Sequence, residues 1–241
     1  MQNNLFGSKP VTLSPAMVSA QASFMSKVYM WMSMGILTTG LVSYAIGTNE
    51  ELAMTIASNR GLFWVLFLAQ IGAVIFLSAA MKKISAFTAT VTFGLYAALT
   101  GVTMSIIFLI YTQQSIFQVF ALTSFAFAGL SAFGYFTKKD LGPIGSFCMM
   151  GLWGLIGMAI ASIFFPSLMG GQMGMIVSLL GILIFSGLTA YDTQKIKNMY
   201  HTESRPGEAM EKAAIFGALI LYLDFINLFM YLLRFTGDRR K

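Results

Sequence analysis

Two carboxylates stand out before anything else in the chain does. Across the long apolar runs of these 241 residues only two ionisable side chains occur, Asp192 at the end of one run and Asp224 midway along the next. A charged Asp at mid-bilayer costs ~2.5–3.5 kcal/mol even on the lenient insertion scale, so natural helices retain one mostly where it faces a cavity or a partner. No Lys or Arg lies within 213–233, and the nearest along that run is Arg234, ten residues on, or ~15 Å along a helix. Asp224 therefore needs a proton, a cation or a partner from another helix. Asn227, one turn beyond, can supply a hydrogen bond, and Tyr191 and Tyr222 are near the two Asp in sequence. Two roles are open to Asp224: a protonated group that locks two helices together, or a functional proton or cation site. The second is favoured. Whether Asp192 and Asp224 meet depends on where the last helix begins, and spacing alone leaves this open.

If they do meet, the chemistry is constrained. Two carboxylates in contact cannot both ionise cheaply in a poor dielectric, so they share one proton and titrate as a unit. Losing that proton leaves two repelling charges, and repulsion or an entering cation would spread the two helices. Calcium takes six to eight oxygens. Two Asp with Asn227, tyrosine hydroxyls and water would make only a weak, transient metal site, which suits a leak rather than a store or pump.

The elements that must position these residues are membrane helices. The chain is 57% hydrophobic and 10% charged, with a mean hydropathy of +0.75. Average soluble domains carry roughly 25% charged residues. A soluble enzyme, a disordered chain, a coiled coil and a nucleic-acid-binding domain are all excluded. The net charge of +6 is spread between apolar runs and forms no basic patch. Seven runs, 28–47, 61–81, 84–111, 115–137, 141–169, 172–192 and 213–233, each meet the ~20 residues needed to cross a bilayer. In hydrocarbon every backbone N–H and C=O must be paired within the segment, so these are helices. A β-barrel would need alternating strands, and Gly61–Met81 shows no alternation. The fold class is an all-α integral membrane protein with short loops. Residues 1–26 are expected to form a polar, mobile tail without a cleaved signal peptide, ahead of a single domain over 27–241. Cys148, the one cysteine, reads as a buried packing thiol.

Topology follows from Lys and Arg. Lys9, Lys27, Lys82, Lys83, Lys138, Lys139, Lys195, Lys197 and Arg205 collect on one side, against Arg60 on the other. This places the N-terminus in the cytoplasm, with the Lys pairs also reading as anionic-lipid contacts. Seven spans then put Arg234, Arg239, Arg240 and Lys241 outside, against the rule. Either the inner-loop bias overrides the tail, which is preferred, or the last helix is re-entrant. An offset of 57 aligns Gly94 with Gly151 and Ser105 with Ser162, which reads as composition bias or as a tandem duplication of hairpins. Gly151, Gly154 and Gly157, and Gly94 and Gly101, are expected to mark close-packing helix faces. Lone His201, in a polar loop 193–207, reads as solvated.

The segments Gly187-Leu-Thr-Ala-Tyr-Asp-Thr-Gln-Lys-Ile196 and Leu221-Tyr-Leu-Asp-Phe-Ile-Asn-Leu-Phe229 resemble the Bax inhibitor-1 family in its bacterial YccA-like branch. Lys27-Val-Tyr-Met-Trp-Met-Ser-Met-Gly35, Ala98-Leu-Thr-Gly-Val-Thr-Met-Ser105 with Ile110-Tyr-Thr112, and Gly134-Tyr-Phe-Thr-Lys-Lys-Asp-Leu141 add support. The resemblance implies a seven-transmembrane-helix bundle with the seventh helix in the centre, in the bacterial inner membrane. It implies a pH-sensitive calcium leak, with the Asp of the sixth and seventh helices, here Asp192 and Asp224, paired near the inner mouth. It also implies a basic latch on that pair. No Lys or Arg occurs inside 61–81, which leaves Arg60 and Arg234 as edge candidates.

Three rivals are weighed. An intramembrane aspartyl protease also uses two Asp, but it carries Gly-x-Gly-Asp where this chain has Leu221-Tyr-Leu-Asp224. A retinal protein fails because 213–233 holds no lysine. The stronger alternative is a regulatory interaction protein, a modulator or substrate of a membrane-bound protease that seizes segment 1–20, with no ion flux. No enzyme activity, cofactor or nucleic-acid partner is expected. Membrane lipids are the expected partners.

Overall fold

The computed structural model describes residues 15–81, 83–202 and 207–240. Among them lie helices α1 (Pro15–Gly47), α2 (Glu50–Ser58), α3 (Arg60–Ala80), α4 (Ala86–Met104), α5 (Ile107–Ile110), α6 (Gln113–Phe136), α7 (Gly142–Phe164), α8 (Gly171–Thr202) and α9 (Glu208–Thr236), with a 3₁₀ turn at Pro166–Met169. Seven of these units are long and apolar enough to cross a membrane: α1, α3, α4 continued by α5, α6, α7, α8 and α9. The sequence sets most of the starts. Asn49, Asn59, Ser85 and Thr112 each accept a hydrogen bond from a backbone N–H in the first turn of α2, α3, α4 and α6. These groups satisfy donors that a helix N-terminus leaves unpaired. Pro143 stands in the first turn of α7, where its missing N–H costs nothing.

α9 is the core. In its most apolar stretch 67% of residues are buried, against 11% in α3 and in α7. α1, α4, α6 and α8 pack around it, while α3 lies outside against α4 and α7 outside against α8. The seventh span is thus central, as expected.

The two ends of the bundle are tied differently. At one end Gln194 Nε2 donates to Lys139 O (2.8 Å) and the Leu141 N–H donates to Gln194 Oε1 (2.9 Å). There too Lys212 Nζ donates to Ile84 O, and the Ala86 N–H donates to Glu208 Oε1. This is the lysine-bearing end. At the opposite end the C-terminal segment pairs with the α5–α6 link: Tyr111 and Arg239 form an antiparallel bridge, and the Thr112 N–H donates to Asp238 O. α9 therefore runs from one end to the other, and the re-entrant alternative is set aside. The guanidinium of Arg240 donates to Phe108 O at the end of α5, where a cation meets unpaired helix carbonyls.

Several boundaries differ from expectation. The first helix begins at Pro15, and Gln21, Phe24 and Met25 are buried, so the polar tail does not extend to residue 26. Residues 1–14 lie outside the described residues. α8 continues to Thr202, so His201 stands in a helix rather than in a loop. The short amphipathic α2 was not anticipated. Of the glycines expected to mark packing faces, Gly101 and Gly151 abut Val42 and Ile184, whereas Gly94, Gly154 and Gly157 face open space. Gly94 and Gly151 thus occupy unlike surroundings, against a duplicated packing unit. Among the glycines, Gly134 meets a neighbouring helix most tightly, its missing side chain admitting the Ala190 backbone. Cys148 is buried, as expected.

Candidate ion site

α8 and α9 lie along one another and bring the Asp192 and Asp224 carboxyls within electrostatic reach of each other. Asp224 is 4% exposed and Asp192 is 8% exposed. Asp224 Oδ2 is buried without a hydrogen-bond partner, an arrangement that a folded protein rarely leaves in place. The depths match because α9 begins at Glu208 rather than at the first apolar residue. Asp224 then stands sixteen residues into α9, and Asp192 ten residues from the end of α8.

Lys195 supplies the nearby cation. Its Nζ lies 4.0 Å from Asp192 Oδ1, one turn along α8, and its charge also reaches Asp224. It was missed in the sequence because it was counted as a topology signal. The i, i+3 spacing from Asp192 was the available clue.

A chain of hydroxyls flanks Asp192. The Thr193 hydroxyl donates to Thr189 O (2.7 Å), Ser131 Oγ lies 2.9 Å from Thr193 Oγ1, and Tyr29 Oη lies 2.6 Å from Ser131 Oγ. Each hydroxyl has one hydrogen. Since that of Thr193 goes to Thr189, Ser131 donates to Thr193 and Tyr29 donates to Ser131. The chain joins α1, α6 and α8 and fixes the face of α8 beside the Asp. Gln21 Nε2 donates to Lys197 O, and Lys197 Nζ donates to Tyr135 O. Single polar residues on separate helices carried no sequence signal that they meet.

Most of the expected supporting residues fall elsewhere. Asn227 Nδ2 donates to Leu223 O, one turn back on its own helix, which leaves its second N–H and its carbonyl oxygen for other partners. Tyr222 points away from Asp224, two residues on being nearly the opposite helix face. Its hydroxyl lies 2.6 Å from Thr39 Oγ1. Because the Thr39 hydroxyl donates to Ala97 O, Tyr222 is the donor of that pair. The Tyr191 ring packs on Gly145 and lines a surface hollow of about 370 Å³ with Asp140 and Gln194. Arg234 sits over the Tyr231 ring, 5.9 Å from its centroid, near the end of α9. Arg60 opens α3 at the end opposite the lysines. Neither arginine is at the Asp pair.

A central seventh span carrying one buried Asp beside a second on the sixth is the arrangement that the sequence resemblance implies. Residues 21–241 match the family model described as "Inhibitor of apoptosis-promoting Bax1". The chain belongs to the Bax inhibitor-1 family. Similar proteins include the inner membrane protein YbhL of Escherichia coli K12, 42% identical over 219 residues, covering 90% of this chain and 92% of that protein. An uncharacterized protein of Borreliella burgdorferi is 46% identical over 217 residues, with 90% and 92% covered. An uncharacterized membrane protein of Streptococcus pyogenes is 33% identical over 216 residues, with 89% and 92% covered.

In this Bax inhibitor-1 family protein the pair has limited coordinating power. Among the described residues no group of three or more His, Cys, Asp or Glu gathers at one point. A calcium ion held between Asp192 and Asp224 would draw most of its six to eight oxygens from carbonyls, hydroxyls and water.

Proposed function

We propose that this protein is a pH-sensitive calcium leak of a bacterial inner membrane, with its lysine-bearing end in the cytoplasm and Asp192 and Asp224 as the gate. The observation that carries the reading is the buried Asp224 carboxyl with an unpartnered oxygen beside a second carboxyl. A second buried carboxyl on the adjoining helix supports a shared proton over a lone packing Asp. In the closed state the two acids share a proton, and Lys195 holds Asp192 from the aqueous side. Loss of the shared proton leaves two anions on adjoining helices, and their repulsion parts α8 from α9. A cation entering from either side is attracted to the pair, held by few ligands and released. The chemistry requires no nucleotide and no bound cofactor.

The test is calcium flux into liposomes containing the purified protein, across a pH series. Flux should rise as the medium becomes more alkaline and fall strongly in Asp224→Asn. Wild-type liposomes no leakier than empty ones at any pH would overturn the reading.

A further inference from the structure

A large cavity among the described residues has no part in the ion site. It is an open groove of about 1210 Å³ between α1 and α6, floored by Phe225, Ile226 and Phe229 of α9. Neither Asp192 nor Asp224 lines it, and no Asp, Glu, Lys or Arg is among its walls. It extends along α1 from Ala22 to Tyr44, ~33 Å of helix, which matches the ~30 Å hydrocarbon core. α1 and α6 are bridged across it by side chains, Tyr29 to Ser131 and Tyr44 to Phe117. A wall of this kind within a bilayer is in contact with lipid or protein along its whole length.

The floor argues against a helix as the occupant. Close helix approach in membranes needs small residues, and here Phe225 and Phe229 hold a facing backbone away. A flexible hydrocarbon chain conforms to such a floor. The charges at the ends choose the kind of lipid. Where the groove reaches Tyr135 and Phe136, Lys197 Nζ donates to Tyr135 O and lies 4.8 Å from the centre of its ring. An ammonium has three N–H donors, so this contact leaves donor capacity for an anion. Exposed Lys138 follows two residues beyond Phe136. The Tyr29 and Ser131 hydroxyls stand on the walls of the same groove.

We infer that the α1–α6 groove is a binding site for one anionic phospholipid, an acyl chain lying along Phe225 and Phe229 and the phosphate held at Lys197 and Lys138. The site gives the lysine-bearing end a defined lipid ligand as well as diffuse attraction. It also places that ligand against α9, the helix that carries Asp224.

The test uses the full chain in phosphatidylcholine vesicles doped with phosphatidylglycerol bearing a diazirine on its acyl chain. After irradiation, adducts should concentrate on peptides of α1 and α6. Ala128→Phe, on an exposed groove wall, should reduce them several-fold. Gly154→Phe, on α7 in open space outside the groove, should not. Lys197→Gln should lower labelling by the phosphatidylglycerol probe to that of a diazirine phosphatidylcholine. Adducts spread evenly over α3 and α7 would mean annular lipid only and would overturn the site, as would crosslinks between two copies through α1 and α6 formed by a bifunctional reagent in the same vesicles. If Ala128→Phe does not fold, the wild-type adduct map and Lys197→Gln still decide.

Discussion

Lys195 and Asp192 face each other one turn apart on α8, with 4.0 Å between Nζ and Oδ1, at the boundary where the buried acids meet solvent. The lysine side chain is 51% exposed. An ion pair so open to water contributes at most ~0–1 kcal/mol to stability, and in the proposed gate its charge acts on the acid pair instead. Lys195→Gln should leave thermal unfolding in detergent nearly unchanged. It should move the rise of calcium flux to higher pH, because without the cation the pair gives up its proton less readily. An unchanged pH profile would remove Lys195 from the gate.

The C-terminal bridge to the α5–α6 link bears on topology. Arg239 and Arg240 are tied to the α5–α6 link, at the end opposite Lys83, Lys139 and Lys195. Arg240 is engaged by a helix-terminal carbonyl, so a basic tail can stand on the unfavoured side of the membrane. Reporters fused after Lys83, Lys139 and Lys197 should all report cytoplasm, and one fused after Arg240 should report the other side. A shared side for Lys83 and Arg240 would contradict seven crossings.

Two glycines separate packing from mere composition. At Gly134 an added methyl meets the Ala190 backbone, which cannot turn aside. At Gly154 it meets nothing. Gly134→Ala should therefore force α6 from α8 and lower the unfolding temperature by several degrees, with loss of the Ser131–Thr193 hydrogen bond nearby. Gly154→Ala should be neutral or stabilise by up to ~1 kcal/mol, since Ala costs less than Gly in a helix. Thermal denaturation of the two variants side by side checks the contrast.

Hydropathy alone made the seven spans legible, because burial of the backbone in hydrocarbon leaves the helix as the available form. The acid pair was legible for the same reason: a carboxyl is conspicuous where nothing else ionises. Its neighbours were not. Tyr29, Ser131 and Thr193 come from three helices, and a Ser or Thr in an apolar run equally well bonds its own helix, as Thr123 and Ser178 do. Asn227 likewise turns one N–H of its amide back to Leu223 on its own helix. The start of α1 was misplaced because residues 15–26 are moderately polar, yet Phe24 and Met25 belong to the core around α9. Hydropathy reports apolar runs, and a moderately polar helix end that packs on the core escapes it.

That helix end yields a truncation test. Removing residues through Ser26 would delete Phe24 and Met25 and the Gln21 contact to Lys197 O. Two large apolar side chains lost from a core cost on the order of 2–5 kcal/mol each. The unfolding temperature should drop sharply compared with a truncation that stops at Ser14. Equal stabilities would mean that α1 before Lys27 contributes nothing. Following degradation of the shorter truncation in cells addresses the regulatory alternative. A protease that seizes the first residues would spare it, and flux would be unaffected.

The Asp pair allows the sharpest experiment, because a shared proton makes the two sites one. Asp224→Asn keeps size and hydrogen bonding while removing the charge that attracts a cation to the centre of the bundle. Calcium flux should fall at every pH. Asp192→Asn removes the repulsion that parts α8 from α9, so flux should lose its dependence on pH. If the two titrate as a unit, the double variant should add little to the worse single one. Groups acting independently would instead give effects that sum. All four proteins, reconstituted at equal density and assayed over one pH series, complete the cycle. Additive losses would mean two separate sites at different depths. Wild-type flux in both single variants would leave Asp192 and Asp224 as packing groups.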